Sequence, residues 1–588
     1  MANKKPSRNK KRNQAIISLL LMALILICVN ILASFFHTGF DLTKEKRFTL
    51  SPSTKTLLKN MKEVAVIDVY LKGKFPADLQ HMQEAVREEL AAFKNVAGNK
   101  IIYRFIDPFE GKNDNEKKQI AHDLQEKGIE LLQLPNKEED GYSLKVCFPY
   151  ALLQYNGKEM PINLIESAQG KNSRESQITY ASALLEYKLA SAINSLSKPT
   201  LPRIGYLVGH GEDLTVHSAD MLLTLGGYIG RDGRETKGLY KLDSLDLTRM
   251  IHISKAYDAI IINAPTVPFS EPDKLKIDQY IMRGGHVLWA VNTMNASMDS
   301  FSQGLQKFMS VENGLNLDDQ LFKYGARINA DLVEDKQCVP IPVVAGGGKT
   351  NLYDWVYFPR INPTADHPIV RNMDFIIGGF TNSIDTVMAT GIKSTVLLET
   401  SKYSRTSSSP VTVSFTKINY PGRMENFNKP YRAVAVLLEG KFHSLYQNRL
   451  ARQYLYTLDS MGETFKPYCD TPGSMIITSV GNIFQNDFST KDGLMQLGYY
   501  KYTGEHFANK DFLLNCLEYL TDHSGVLEAR SKDVKMRLLD RGRAAEEKTQ
   551  WQWINVSVPI AIVLIFASAY MFFRKRRYEV KLTPKSKG

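Results

Sequence analysis

Two long apolar stretches, one near each end, constrain this chain more than any other feature. Residues 15–36 and residues 554–573 contain no Asp, Glu, Lys or Arg. At ~1.5 Å per residue, a helix of about 22 residues spans roughly 33 Å, enough to cross a hydrocarbon core of about 30 Å. Each stretch is apolar on every side, unlike the one-sided stripe of a core helix. Roughly 515 residues lie between them and read as water-soluble, enough for two to four domains. A leader peptide that is cut away would have a shorter apolar core and a small-x-small site, and Ala33-Ser34-Phe35 fits that poorly. Cys28 follows Ile27, not the small residue a lipoprotein site requires. The chain is therefore expected to be a soluble body tied to a membrane at both ends.

The charge distribution gives the orientation. The formal net charge of +12 suggests a nucleic-acid binder until it is located. Lys4, Lys5, Arg8, Lys10, Lys11 and Arg12 precede the first stretch with no acid among them. Arg574, Lys575, Arg576, Arg577, Lys581, Lys585 and Lys587 follow the second, opposed only by Glu579. The two tails hold the whole excess, so the body is formally neutral and no nucleic-acid partner is expected. Basic clusters beside spans mark the cytoplasmic side. Both termini are thus expected in the cytoplasm and the body on the far side. Trp551 and Trp553 suit an aromatic anchor at the outer face, Tyr570 lies near the inner one, and His37 reads as interfacial. Pro559 is tolerable near a helix end.

The fold class expected is α/β. Residues 64–71 are rich in β-branched side chains and read as a strand. Leu79, Met82, Val86, Leu90 and Phe93 follow at helical spacing, and residues 101–106 form a second strand, giving a βαβ unit with a parallel pair. Residues 144–155 and 158–164 flank Asn156-Gly157, a strong hairpin signal. This order suits a thioredoxin-like sheet without the redox Cys-x-x-Cys. A long helix over 178–196 ends at Lys198-Pro199-Thr200-Leu201-Pro202, a boundary. Strands at 203–208, 257–263 and 286–291 alternate with helices at 216–225 and 271–283, the pattern of a doubly wound, amidotransferase-like sheet. A third α/β region has strands near 433–438 and 474–480 and a helix at 510–521, while 402–428 reads as an exposed loop or insertion. The expected organisation is a basic tail (1–14), a span (15–36), a thioredoxin-like domain with its linking helix (37–198), a doubly wound domain (199–330), a second α/β region (331–528), a juxtamembrane helix (529–553), a span (554–573) and a basic tail (574–588).

Candidate chemistry is sparse. Gly209-His210-Gly211-Glu212 sits after a strand and before a helix, where α/β sheets bind ligands. Its glycines allow close backbone approach; His210 and Glu212, with His217 nearby, offer acid–base or metal chemistry. A structural turn, or contact with a ligand or partner, is the reading adopted, with no catalytic residue, metal or cofactor. Gly346-Gly347-Gly348-Lys349-Thr350 resembles the end of a phosphate loop, but Val343 stands where the pattern needs glycine, so a hairpin tip is expected. Ile262-Asn263-Ala264-Pro265 and Leu438-Glu439-Gly440-Lys441 close strands where a hydrolase or amidotransferase carries its nucleophile, yet neither turn has Ser or Cys. Cys147, Cys338, Cys469 and Cys516 show no metal spacing and read as buried thiols, with disulfides left open.

A family resemblance then emerges. Phe40-Asp41-Leu42-Thr43-Lys44-Glu45-Lys46-Arg47-Phe48-Thr49-Leu50-Ser51 resembles the opening of the gliding-motility-associated ABC transporter component GldG. Further matching strings are Gly209-His210-Gly211-Glu212, Ile277-Asp278-Gln279-Tyr280, His367-Pro368-Ile369-Val370, Leu438-Glu439-Gly440-Lys441-Phe442, Asn509-Lys510-Asp511-Phe512-Leu513-Leu514-Asn515 and Arg537-Leu538-Leu539-Asp540. Val480-Gly481-Asn482 departs from an expected acidic turn, which removes the basis for a cation site there. The resemblance implies a non-enzymatic periplasmic subunit of an ABC-2-type exporter in a bacterial inner membrane. Its implied partners are a permease and a separate cytosolic ATPase, and its implied setting is gliding motility and the envelope machinery. The other readings of the residues are a sugar- or peptidoglycan-binding module and a hydrolase or amidotransferase-like enzyme at residues 209–212.

Overall fold

The computed structural model describes residues 49–578 except 74, 130, 139–140, 166–173, 230–234, 302–305, 345–349, 420–423, 450–463, 492, 523 and 532–540, together with scattered positions between 17 and 28. The chain divides into two units, Met1–Asp533 and Val534–Gly588. Most of the expected first span, the first basic tail and residues 579–588 of the second lie outside the described residues.

Helix α1 (Pro52–Lys59) begins where Ser51 Oγ accepts from Thr54 N and proline occupies the first turn. Strand β1 (Ala65–Val69) leads to α2 (Ala77–Ala97) and β2 (Ile101–Phe105), which pairs with β1 in parallel. Leu79, Met82, Val86, Leu90 and Phe93 are the buried face of α2, as their spacing predicts. Each contributes about 1.5–3 kcal/mol by leaving water. Strands β3 (Tyr150–Tyr155) and β4 (Lys158–Asn163) form the hairpin, with Asn156 and Gly157 at φ +52° and +69°. The four-stranded sheet runs β2-β1-β3-β4. The strand expected over 144–155 is in fact two. Gly141–Cys147 pairs with Leu132–Glu138 in a separate hairpin, and Pro149, which has no N–H to donate, stands between them and β3. The long helix likewise divides at Leu184 into α3 (Arg174–Ala183) and α4 (Leu185–Ser197).

The larger sheet opens with β5 (Arg203–Val208), α5 (Ala219–Gly226), β6 (Lys241–Asp246), β7 (Ala259–Asn263), α6 (Glu271–Met282) and β8 (His286–Ala290). Later strands are β9 (Cys338–Val344), β10 (Thr350–Pro363), β11 (Ile392–Glu399), β12 (Ala433–Gly440) and β13 (Gly473–Thr478), followed by α7 (Asn509–Thr521). Their spatial order is β6-β5-β7-β8-β13-β12-β11-β10-β9. From β6 to β13 the pairs are parallel; from β13 to β9 they are antiparallel. The strands expected as a third α/β region therefore join the second, and the boundary drawn at residue 330 divides one sheet. β7 and the middle of β8 are buried along their length, consistent with helices covering both faces of its parallel half.

Residues 402–428 are not an exposed loop. Ser404–Ser408 pairs with Asp331–Asp335, and Val411–Ser414 pairs with Lys307–Ser310. The cause is a carboxylate about seventy residues earlier. Glu334 is fully buried and accepts from Arg405 Nη2 (2.6 Å), Ser407 Oγ (2.8 Å) and Lys417 Nζ. Burial pushes its pKa up, but Lys417 and Arg405 outweigh that and hold it below the ordinary glutamate value.

Ser51 and residues 526–531, distant in sequence, meet at α4. Ser51 N donates to Glu186 Oε1 on α4 (2.7 Å). The 3-10 turn Val526–Ser531 packs against α4 and α1, with Ala529 fully buried. The start of the expected juxtamembrane helix thus belongs to the body. In the second unit α8 (Arg541–Tyr578) is one continuous helix; it contains Gln550–Arg576, long and apolar enough to cross a membrane, and carries Trp551 and Trp553 exposed.

Candidate functional site

The parallel strands β5, β6, β7, β8 and β13 lie in the spatial order 2-1-3-4-5, so the sheet's switch point falls between β5 and β7. Open α/β sheets bind ligands in the crevice outside the strand ends at that point. The loop after β5 is Gly209-His210-Gly211-Glu212, and the loop after β7 starts at Ala264. All four expected residues lie in the loop beside this switch point.

The two loops are stitched together. Thr266 N and Val267 N both donate to the His210 carbonyl (2.9 and 2.8 Å). His210 N donates to Glu212 Oε2 (2.7 Å). Gly211 stands at φ +77°, a region that L side chains avoid, and a Cβ there would fall on Thr266 Oγ1. His210 itself is 2 % exposed. Its ring stacks on Phe269 with centroids 3.9 Å apart and planes 4° from parallel. Nδ1 lies 3.6 Å from Glu212 Oε1, and Nε2 lies 3.3 Å from Asp273 Oδ2. Burial pushes the imidazole pKa down, but Glu212 and then Asp273 outweigh it, leaving it raised. Asp273 is pushed up by burial and pulled down further by Ser270 and Lys276, so it stays below its ordinary value. The buried imidazole thus lies between two carboxylates that favour its charged form. Its buried ring fills the space between the two loops and the start of α6.

His217 does not join this cluster. It is exposed and its Nδ1 meets Asn486 O at 3.1 Å. Among the described residues no group of three His, Cys, Asp or Glu is arranged to hold a metal. Ala264 has φ +50°, the strained geometry that presents a nucleophile at a strand-to-helix elbow, but it offers only a methyl group. The glycine run after Val343 is flanked by paired strands, with Val344 opposite Thr350; residues 345–349 lie outside the described ones. No helix opens there, as a phosphate loop requires.

Sequence reasoning found His210 and Glu212 but missed Asp273 and Phe269. The signal for Asp273 was local only: Ser270 caps α6 and its Oγ donates to Asp273 Oδ2 (2.6 Å), a helix start that says nothing of a partner sixty residues earlier. Several of the other matching strings hold the body together, while Arg537-Leu538-Leu539-Asp540 and residues 40–48 lie outside the described residues. Asp278 accepts from Ser444 Oγ (2.6 Å), Leu445 N (3.0 Å) and Tyr324 OH (2.9 Å). Asn509 Nδ2 donates to Ile377 O and Ile483 O, and Asn515 Nδ2 to Ile369 O (2.7 Å). At the turn after β13, Asn482 Oδ1 accepts from Gly379 N (3.0 Å) and Asn292 Oδ1 from Gly481 N (2.7 Å), so these amide oxygens serve backbone donors. The four body cysteines are free thiols.

Residues 44–154 match a family described as a domain of unknown function. Residues 201–516, just over half of the chain, match the family described as "ABC-type uncharacterized transport system". The chain belongs to this ABC-type transport family. Membership ties it to ABC transporter components, and α8 supplies one segment suited to a membrane. An uncharacterized protein of Borreliella burgdorferi is 23% identical over 467 residues, spanning 78% of this chain and 84% of that protein. Among solved structures, the mmIFT52 N-terminal domain aligns over 54% of this chain and 97% of its own length, at 14% identity and a TM-score of 0.28.

Proposed function

We propose that this chain is a non-enzymatic accessory subunit of an ABC-2-type export complex, anchored by a span at each end, with its body in the periplasm. The observation that carries the reading is the match over residues 201–516 to an ABC-type transport family in a chain with an apolar stretch and a basic tail at either end. Its partners in this reading are a multispanning permease and a separate cytosolic ATPase, and its setting is the gliding and envelope machinery that the sequence strings suggest. The N-terminal sheet order β2-β1-β3-β4 supports a thioredoxin-like unit used as a scaffold. The buried ring of His210 and the methyl group of Ala264 weigh against a hydrolase centred on residues 209–212. That loop is better suited to shape a surface for a partner than to turn over a substrate.

Mechanical coupling is the mechanism proposed. Permease motion reaches the body through the two short connections, residues 41–51 and 529–548. The meeting of Ser51 and the 526–531 turn on α4 supports this, since both inputs then act on the helix that joins the two sheets. Insertion of a flexible Gly/Ser linker at either connection should leave the complex assembled and remove its ATP-driven output. Unchanged output with the linker in place would contradict the mechanism.

A further inference from the structure

Where α4 passes α7, a cavity of about 170 Å³ remains. A cavity of ~150 Å³ holds one benzene-sized molecule, which sets the scale of an occupant. Leu201 and Leu239, both exposed, mark its mouth, and apolar surface predominates in its lining. Deeper in are Tyr187 and Ser191 of α4, Tyr240, and Glu518 of α7.

The polar groups are unequally satisfied. Asp522, also in the lining, is committed: Lys198 Nζ lies 3.3 Å away, and Asn194 Nδ2 and Ser524 Oγ donate at 2.6 and 2.7 Å. Glu518 accepts from the Tyr187 hydroxyl and from Ser191 Oγ (3.2 Å). A carboxylate has about four acceptor sites, so these two neutral donors leave capacity unused. Among the described residues Glu518 forms no ion pair. The Arg530 guanidinium is set behind the Tyr187 ring, 5.5 Å from its centroid, and bonds Asn515 instead. Burial pushes the Glu518 carboxyl above its ordinary value and neighbouring Asp522 adds to the rise; the Tyr187 and Ser191 hydroxyls and the more distant Arg530 offset it only in part. A cation small enough for the cavity, carrying hydrocarbon for its walls, would complement this carboxylate and its apolar surroundings.

We propose that this cavity binds a small primary-ammonium compound, its ammonium group on Glu518 and its short hydrocarbon tail against Leu201, Leu239 and Leu514. Tyr187 and Tyr240 line the same cavity, and an aromatic ring attracts a cation placed over its face. An occupant braces α4 against α7 beside the place where Ser51 and residues 526–531 meet. The binding step involves no transporter partner, so its failure and the failure of the accessory-subunit reading are separately visible.

The test is calorimetric titration of the full chain in mild detergent with n-butylammonium, 1-butanol and butyrate, which share one size and differ in charge. Butylammonium should bind about tenfold or more tightly than 1-butanol, the margin of a charge-assisted hydrogen bond, and butyrate not at all. Glu518→Gln should erase the preference for the cation. Leu239→Trp, which fills the mouth without touching the carboxylate, should remove binding of both and keeps the test valid if Glu518→Gln does not fold. Equal binding of butylammonium and 1-butanol, retention of the preference in Glu518→Gln, or no binding of any probe would overturn the proposal.

Discussion

Replacing His210 with leucine tests whether the loops at the switch point are held together by charge. The substitution removes a buried imidazole whose charged form is favoured by Glu212 at 3.6 Å and Asp273 at 3.3 Å. Breaking a buried pair from one side costs about 3–5 kcal/mol. Asp273 keeps Lys276 Nζ at 2.9 Å and Ser270 Oγ at 2.6 Å, and Glu212 keeps the His210 backbone N–H at 2.7 Å, so the lower end applies. Loss of the ring stack on Phe269 adds about 0.5–1.5 kcal/mol. A destabilisation of about 3.5–4.5 kcal/mol follows, several hundredfold or more in the folding equilibrium. The assay is urea denaturation of the full chain followed by the fluorescence of Trp289, fully buried in β8 of the same sheet. The pH dependence carries the sharper test. The imidazole pKa is raised on folding, so its contribution is complete below the unfolded value of about 6.5 and is lost as pH rises through the folded value. The charged groups around it are Glu212, Asp273, Lys276 and, across the loop, Asp246. The gap between wild type and His210→Leu should be largest near pH 6 and narrow towards pH 9. A gap below about 1 kcal/mol at pH 6, or one that widens with pH, would refute this account of the imidazole.

Three further outcomes follow from the packing. Gly211→Ala should cost more than the ~1–2 kcal/mol of a left-handed residue alone, because its Cβ meets Thr266; Gly493→Ala, at φ +80° with open space, should cost only that amount, and equal urea midpoints would contradict the difference. Asp278→Ala should destabilise by about 3 kcal/mol, since Tyr324, Ser444 and Leu445 lose their acceptor, and Asp278→Asn by less; chemical denaturation reads both. Burial pushes the Cys338 thiol to about 12 and the Cys469 thiol to about 11, so neither should react with iodoacetamide at pH 8 until the chain is unfolded, as mass spectrometry of labelled peptides would record.

Local signals were readable where structure is made locally. The five-residue apolar stripe of α2 and the Asn156-Gly157 turn specified the N-terminal sheet and its helix because periodicity and φ preference need no distant partner. The continuity of the large sheet was not readable. β13 pairs with β8 across more than 180 residues, and nothing in either strand encodes that choice. Residues 402–428 looked like an exposed loop for the same reason: their Ser and Thr content suggests solvent, while Arg405 and Lys417 are drawn inward by Glu334. At the candidate site, the glycines and His210 announced a special loop. Its packing depended on Asp273, Phe269 and the backbone of Thr266, which belong to other elements.

The central claim is partnership with an ABC transporter, and affinity capture tests it most directly. The full chain, tagged at its C-terminal tail, would be captured from membranes dissolved in mild detergent and its assembly weighed by native mass spectrometry. Co-purification of a permease and an ATPase at a fixed ratio is the result predicted. Recovery of this chain alone, under conditions that keep other membrane complexes intact, would contradict it.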